Sequence, residues 1–504
     1  MSRFRSAWDT IAGLPHLPRL VEVAVLALIL ADFARVVARL VGVDATLHWD
    51  ESVYAVRARS WVDPDVPLSG WSHIRPPLLP LIATVPVLAG GDEWQLRALG
   101  IIGGLGLLVA CWWLGRLLAG PVAGVAAVAV IATGPSLQRE SGMMLTDVPS
   151  AALLVVVVAL LWRELELRER PGPGLLLAAG IAAAAFFLRY GSIVALTPIL
   201  ILSVAFWWRR LAAAPRVTAL AVVCGLVVAT AHMIWSTLQT GSPLGVMLDA
   251  QAVVGPDISG DPPLADYLRY VDFILAGETG QLAILAALAA IPLATVASVF
   301  SARWRRPARG LTLVVAAALV QIALLTHGVG HAEDRYFFLS TSLLIIAGVS
   351  GAALVVRLVP APARLALVVA GAVLVVANRG PGVDHAFDRY GHADRVDRRY
   401  ELAALAIAEA SGPDCGIVTG GDPIVAWYSR CETERLRVPP TGGSVADALE
   451  AEERWLVLYG SYSMIDFDQP PVRDAMADID GGPMRVTDPA TGEPVAWAWR
   501  FIDR

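Results

Sequence analysis

Two adjacent carboxylates, Asp50 and Glu51, stand in His48-Trp49-Asp50-Glu51-Ser52-Val53-Tyr54, just past the first long apolar run. An ionised carboxylate placed there is able to take a proton from an attacking hydroxyl. The same pair suits a helix start, with Asp as N-cap and Glu near the positive end of the dipole, and the two readings are compatible. The residues that follow alternate Val53, Ala55, Val56 and Trp61 with Arg57 and Arg59, the pattern of an interfacial amphipathic segment. A third acid, Asp147, opens a later apolar run in Leu145-Thr146-Asp147-Val148-Pro149, with Thr146 or Asp147 as cap and Pro in the first turn.

Cations accompany these acids. Trp71-Ser72-His73-Ile74-Arg75-Pro76-Pro77-Leu78 continues the loop of Asp50, and two prolines stiffen the turn after Arg75. The apolar stretch beyond it, roughly 14 residues, is too short to span and reads as re-entrant or interfacial. Arg189, in Phe187-Leu188-Arg189-Tyr190-Gly191, interrupts an apolar region, where a cation needs an anion or water. Arg335 and Tyr336 open a late apolar run. Arg75, Arg189 and Arg335 on one face are suited to gather a phosphate, or each snorkels to the interface. His327, His331, Glu333 and Asp334, or His48 with Asp50, match no ligand spacing, so no metal site is assigned, although a divalent ion stays compatible with the acids. Asp32 and Arg35, one turn apart inside the first apolar run, read as a mutual pair or as a proton relay.

The elements that must position these groups are membrane spans. The chain has 504 residues, 56% of them hydrophobic and 17% charged, with a mean hydropathy of +0.61, which excludes an ordinary soluble protein. There is no Lys, so every fixed basic charge is Arg, and the net charge of -6 suggests no nucleic-acid partner. Apolar runs predict about eleven spans, near residues 20–43, 95–118, 120–136, 147–163, 174–189, 191–208, 217–237, 280–300, 310–327, 336–356 and 365–379. The run after Arg3, Arg5 and Arg19 is too long for a signal-peptide core and reads as an uncleaved span. Arginines cluster in alternate loops (Arg116; Arg163, Arg168 and Arg170; Arg209, Arg210 and Arg216; Arg303, Arg305, Arg306 and Arg309; Arg357 and Arg364), which the positive-inside rule makes cytoplasmic together with the N-terminus. Asp50, Glu51, Asp147 and the candidate cations then share the outer face of a cytoplasmic-type membrane.

The chain therefore divides into a membrane module, residues 1–379 with its outer loop 44–94, and an extracytoplasmic tail, 380–504. The tail reads as a small α/β domain: a strand over Gly416 to Thr419, helices over Pro423 to Ser429 and Val445 to Glu453, and a strand over Trp455 to Tyr459. Cys415 and Cys431 lie on the oxidising side, where they either pair or stay as separate thiols. Cys111 and Cys224 fall in spans and read as packing residues.

Together these segments resemble the GT-C superfamily of integral membrane glycosyltransferases, in the branch of aminoarabinose transferases and dolichyl-phosphate-mannose protein mannosyltransferases. The likeness covers most of residues 20–360. It rests on four pieces in order: Asp50-Glu51, Arg75-Pro76-Pro77-Leu78, Arg139 through Asp147-Val148-Pro149, and Arg335-Tyr336. Arg75 and Arg189 stand where family members usually carry Lys, which keeps charge but changes hydrogen-bond geometry. The resemblance implies an inverting transfer of one sugar, hexose or pentose, from a polyprenyl-phosphate donor to a protein, lipid or glycan acceptor at the outer face. It further implies Asp50 as general base, Glu51 and Asp147 as orienting acids, and His73, Arg75, Arg139, Arg189, Arg335 and Tyr336 around the phosphate and substrate. The competing class is a transporter or lipid-linked sugar flippase, for which only Asp32 and Arg35 speak; no internal repeat accompanies them.

Overall fold

The computed structural model describes residues 17–41, 46–68, 74–254, 267–268, 271, 275–326, 333–412, 415–435, 454–458 and 484–501. His73, His327, His331 and the helix expected over Val445 to Glu453 lie outside them. In chain order the helices are α1 (Leu17–Val41), α2 (Trp49–Val62), α3 (Leu78–Leu88), α4 (Glu93–Ala119), α5 (Pro121–Ala132), α6 (Pro135–Ser141), α7 (Asp147–Trp162), α8 (Gly174–Leu188), α9 (Ser192–Ala213), α10 (Pro215–Thr240), α11 (Gly245–Val254), α12 (Gly277–Phe300), α13 (Arg305–Leu324), α14 (Phe338–Val356) and α15 (Ala361–Ser411). The C-terminal elements are β1 (Gly416–Thr419), α16 (Asp422–Ser429), β2 (Glu432–Arg435), β3 (Arg454–Leu458), β4 (Met484–Thr487) and β5 (Pro494–Phe501).

Within the described residues the apolar runs expected to span are helical, but the runs are not equivalent. Among the described residues eight helices are long and apolar enough to cross a membrane, or nine if α5 and α6 count as one span bent by 77°. Two expected spans fall short for physical reasons: α8 has 15 residues, and α1 carries Glu22, Asp32, Arg35 and Arg39 along its length. The stretch after Arg75 is α3, an 11-residue apolar helix with Leu81, Ile82, Val85 and Leu88 exposed.

By its contacts the chain forms two units, one of residues up to Arg39, Gly100–Ser141 and Thr146–Ala386, the other of Leu40–Leu99, Gly142–Leu145 and Phe387–Arg504. This division differs from a cut at residue 380, because α2 packs on α16 and its loop therefore groups with the C-terminal sheet.

In the first unit the helices pack through small residues. A Cβ on Gly348 of α14 would collide with the carbonyl oxygen of Ala283 on α12, a backbone approach that only glycine permits. At the arginine-rich end α7 finishes in a π-turn, Arg163–Leu167, that buries Glu164 and Glu166. Glu166 accepts from Trp207 Nε1 at 2.7 Å and pairs with Arg309 at 3.1 Å, and Glu164 pairs with Arg168 at 3.2 Å, so both buried charges are compensated.

In the second unit the strands order β2-β1-β3-β5-β4, with β1 parallel to both β2 and β3, and β5 antiparallel to β3 and β4. Ile417, Val457, Ala496 and Ala498 pack with Ala403, Ala404 and Ile407 of α15 and with Val425 of α16. Cys415 and Cys431 form a disulfide across 16 residues, a loop whose closure stabilises by ~3 kcal/mol on chain-entropy grounds.

Candidate active site

The second unit holds Asp50 and Glu51 in the first turn of α2. His48 caps the helix: its extended backbone turns the chain in, and its Nδ1 accepts from Asp50 N–H at 3.4 Å. Glu51 reaches back to accept from His48 N–H at 2.8 Å, as a residue at the third helical position does in a capping box. Glu51 is fully buried, and its oxygens also accept from Arg97 Nε at 3.2 Å, Arg97 Nη2 at 3.0 Å and Met144 N–H at 2.7 Å. Arg97, itself buried, donates in addition to the Thr46 carbonyl at 2.7 Å. Four donors on one carboxylate make Glu51 an anchor for α2, for the start of α4 and for the loop ahead of Asp147.

Asp50 is placed differently. Its Oδ1 accepts from Arg75 Nη2 at 2.8 Å, and its side chain keeps 11% of its surface accessible. Arg75 is held in turn by its carbonyl, which accepts from Arg57, and its guanidinium stands 5.8 Å from the Trp49 ring centroid. The segment carrying these acids is not interfacial. Residues Asp50 to Ala58 are all buried, because Arg57 and Arg59 find protein carbonyls, those of Arg75 and Trp427, instead of water.

The first unit holds Asp147, Arg139, Arg189, Arg335 and Tyr336. Thr146 makes no side-chain cap bond, and Asp147 in the first turn of α7 pairs with Arg189, which follows α8 in extended conformation. The Arg189 guanidinium lies 4.2 Å from the Tyr336 ring centroid, and that of Arg335 lies 5.7 Å from the same ring. Arg335 pairs with Glu333 at 2.5 Å. Arg139 donates from Nε to Glu140 at 2.9 Å and stands 3.8 Å from Asp334, whose Oδ2 accepts from Ser136 at 3.1 Å.

Arg97, Met144 N–H and Glu140 were not singled out by the sequence, and Asp334 was weighed there only as a metal ligand. Arg97 reads there as one more basic residue at a helix start, and a backbone donor leaves no trace in composition. Among the described residues no group of three or more His, Cys, Asp and Glu is placed to hold a metal ion.

Residues 74–235 match the family model described as dolichyl-phosphate-mannose-protein mannosyltransferase. The structure of ArnT from Cupriavidus metallidurans bound to undecaprenyl phosphate superposes with a TM-score of 0.65 at 14% identity, covering 96% of this chain and 98% of that one. The chain has the GT-C glycosyltransferase fold. Two further GT-C structures agree. The Archaeoglobus fulgidus oligosaccharyltransferase gives a TM-score of 0.57 at 13% identity over 94% of this chain and 74% of its own. The arabinofuranosyltransferase AftD from Mycobacteria gives 0.54 at 14% over 95% and 41%. By sequence, no curated protein matches the chain.

Proposed function

We propose that this GT-C protein transfers a single sugar, hexose or pentose, from a polyprenyl-phosphate donor to an acceptor hydroxyl on the outer face of the membrane, inverting the anomeric centre, with Asp50 as general base. The observation that carries this is the contrast between two neighbouring acids. Glu51 is fully buried with four donors on its oxygens, whereas Asp50, paired with Arg75 at 2.8 Å, keeps 11% of its side-chain surface accessible.

The chemistry follows. Asp50 takes the proton of the acceptor hydroxyl as its oxygen bonds the anomeric carbon and the bond to the lipid phosphate breaks. The departing phosphate is already a weak base and needs cations more than a proton, the task assigned to Arg189 and Arg335. Both guanidiniums stand near the Tyr336 ring, which steadies a cation without cancelling its charge. Arg139, which faces Glu140 and Asp334, serves the packing of α6. Glu51 positions, and Asp147 keeps Arg189 in place. ArnT was solved with undecaprenyl phosphate bound, and the isoprenoid class of donor is proposed here on that likeness.

The test is a panel of polyprenyl-phosphate sugars offered to the purified protein in lipid, with release of free polyprenyl phosphate followed for the parent and for Asp50→Asn. Turnover of one donor, lost in the variant, supports the reading; equal turnover in both removes Asp50 from the chemistry. A transporter reading is disfavoured by Asp32, which accepts from Arg379 at 2.7 and 2.5 Å and from Arg35 at 3.0 Å and so joins α1 to α15. Asp32→Asn is accordingly expected to leave turnover within about twofold, as loss of a partly exposed ion pair would.

A further inference from the structure

The reading above leaves the C-terminal domain without a task, yet that domain supplies polar partners at both ends of the segment carrying Asp50. Leu47 N–H, one residue before the capping His48, donates to Tyr428 Oη at 3.0 Å. Thr46 Oγ1 donates to Glu401 at 2.5 Å. At the other end of α2, Arg59 lies 3.5 Å from the Trp427 ring centroid and donates to the Trp427 carbonyl at 2.7 Å. Trp427 Nε1 donates to Glu93 at 3.1 Å, in the first turn of α4, the helix that also carries Arg97. Both ends of α2 are thus gripped by α15 and α16, and all these residues belong to one unit.

The grip depends on the shape of α16. Cys415 directly precedes β1 and Cys431 directly precedes β2, so their disulfide closes the β1–α16 segment into a ring, with Glu432 N–H donating to the Cys415 carbonyl at 3.0 Å. The turn that ends α16 places Arg430 in the left-handed region at φ 61°, a conformation that residues with a Cβ seldom adopt unless their surroundings hold them there. Burial, with Glu93 and Glu401 nearby, pushes the Tyr428 phenol well above its ordinary range, so it meets Leu47 as a neutral hydroxyl.

We propose that α16, closed by the Cys415–Cys431 disulfide, is a latch that sets the position of Asp50, so that transfer requires an oxidised C-terminal domain. Tyr428 and Trp427 are positioning residues in it. The proposal rests on the reading of Asp50 as general base. A displacement of ~1 Å at a catalytic group costs on the order of 10²-fold, so a loosened latch is felt in turnover before it is felt in donor binding.

The test uses the full chain in lipid with the donor found in the panel above, and compares the parent, Tyr428→Phe, Cys415→Ser/Cys431→Ser and the parent after dithiothreitol. Tyr428→Phe removes the acceptor of Leu47 N–H and is expected to lower kcat about tenfold with KM for the donor within about twofold. The serine pair and reduction are expected to lower kcat at least as far, with recovery of the reduced parent on reoxidation. Hydrogen exchange followed by mass spectrometry should show faster exchange over residues 47–56 in all three, with α12 and α14 unchanged. Unchanged exchange over 47–56 overturns the latch, and faster exchange with full kcat overturns its control of transfer. If the serine pair does not fold, Tyr428→Phe and the reduced parent decide the matter. Asp50→Asn separates the two failures: full turnover there sinks the general-base reading, while the exchange data still test the latch.

Discussion

The surroundings of Asp50 and those of Asp147 both pair carboxylates with arginines, but in opposite senses. Around α2 the acid is what is held: Glu51 is buried under main-chain and guanidinium donors, and Asp50 rides beside it. Around α7 the cation is what is held: Arg189 is set between Asp147 and the face of Tyr336, and Arg335 shares that ring. One region fixes its carboxylates and the other fixes its arginines, and the roles proposed above for Asp50 and for Arg189 and Arg335 rest on that difference.

The largest effect that would sharpen this comparison belongs to Asp50→Asn. It is expected to lower kcat by about 10³-fold with an unchanged thermal midpoint, the scale of a lost general base. A midpoint that falls in step with activity would instead make Asp50 a second anchor. Next comes Arg97→Met, which strands the buried Glu51 charge and should cost ~3–5 kcal/mol in denaturant titrations. Pairing it with Glu51→Leu should recover part of the loss, since the charge then goes with its partner, and a single variant as stable as the parent would break the anchor picture. In the other region Arg189→Lys keeps the charge but loses the planar group over Tyr336, and is expected to weaken the donor KM about tenfold. Tyr336→Leu, removing the ring alone, should cost ~1 kcal/mol, or about fivefold in the same measurement. If it hurts kcat more than KM, the ring serves the chemistry and the comparison needs redrawing.

The fold was legible wherever about 20 apolar residues ran together, since such runs need a helix to satisfy their backbone in lipid. The strand over Gly416–Thr419 was legible too, from its β-branched run. The α5–α6 bend was not, because Gly134 at the break looks like any glycine in a span, although a Cβ there would press on the carbonyls of Leu275 and Ile131 at 3.0 and 3.2 Å. At the site, the types of Asp50, Arg75, Asp147 and Arg189 suggested pairs but not partners. The bonds from Arg97 and Met144 to Glu51 join residues 46 and 93 apart in the chain, a distance over which local spacing says nothing. The burial of α2 was hidden for the same reason: what covers it, α16, comes more than 350 residues later.

The uneven burial of the spans has a consequence for how this sequence can change. In the helix from Asp147 to Leu167, 78% of the apolar window is enclosed, whereas in α10 only 6% is. A lipid-facing wall asks only that its residues be apolar and helical, so Leu, Ile, Val, Phe and Ala trade places there at little cost. Substitutions are therefore expected to be tolerated on α10 and resisted on α7 and at the ion-paired positions. A saturation screen would make the difference visible, with α10 tolerant at most positions and α7 at few.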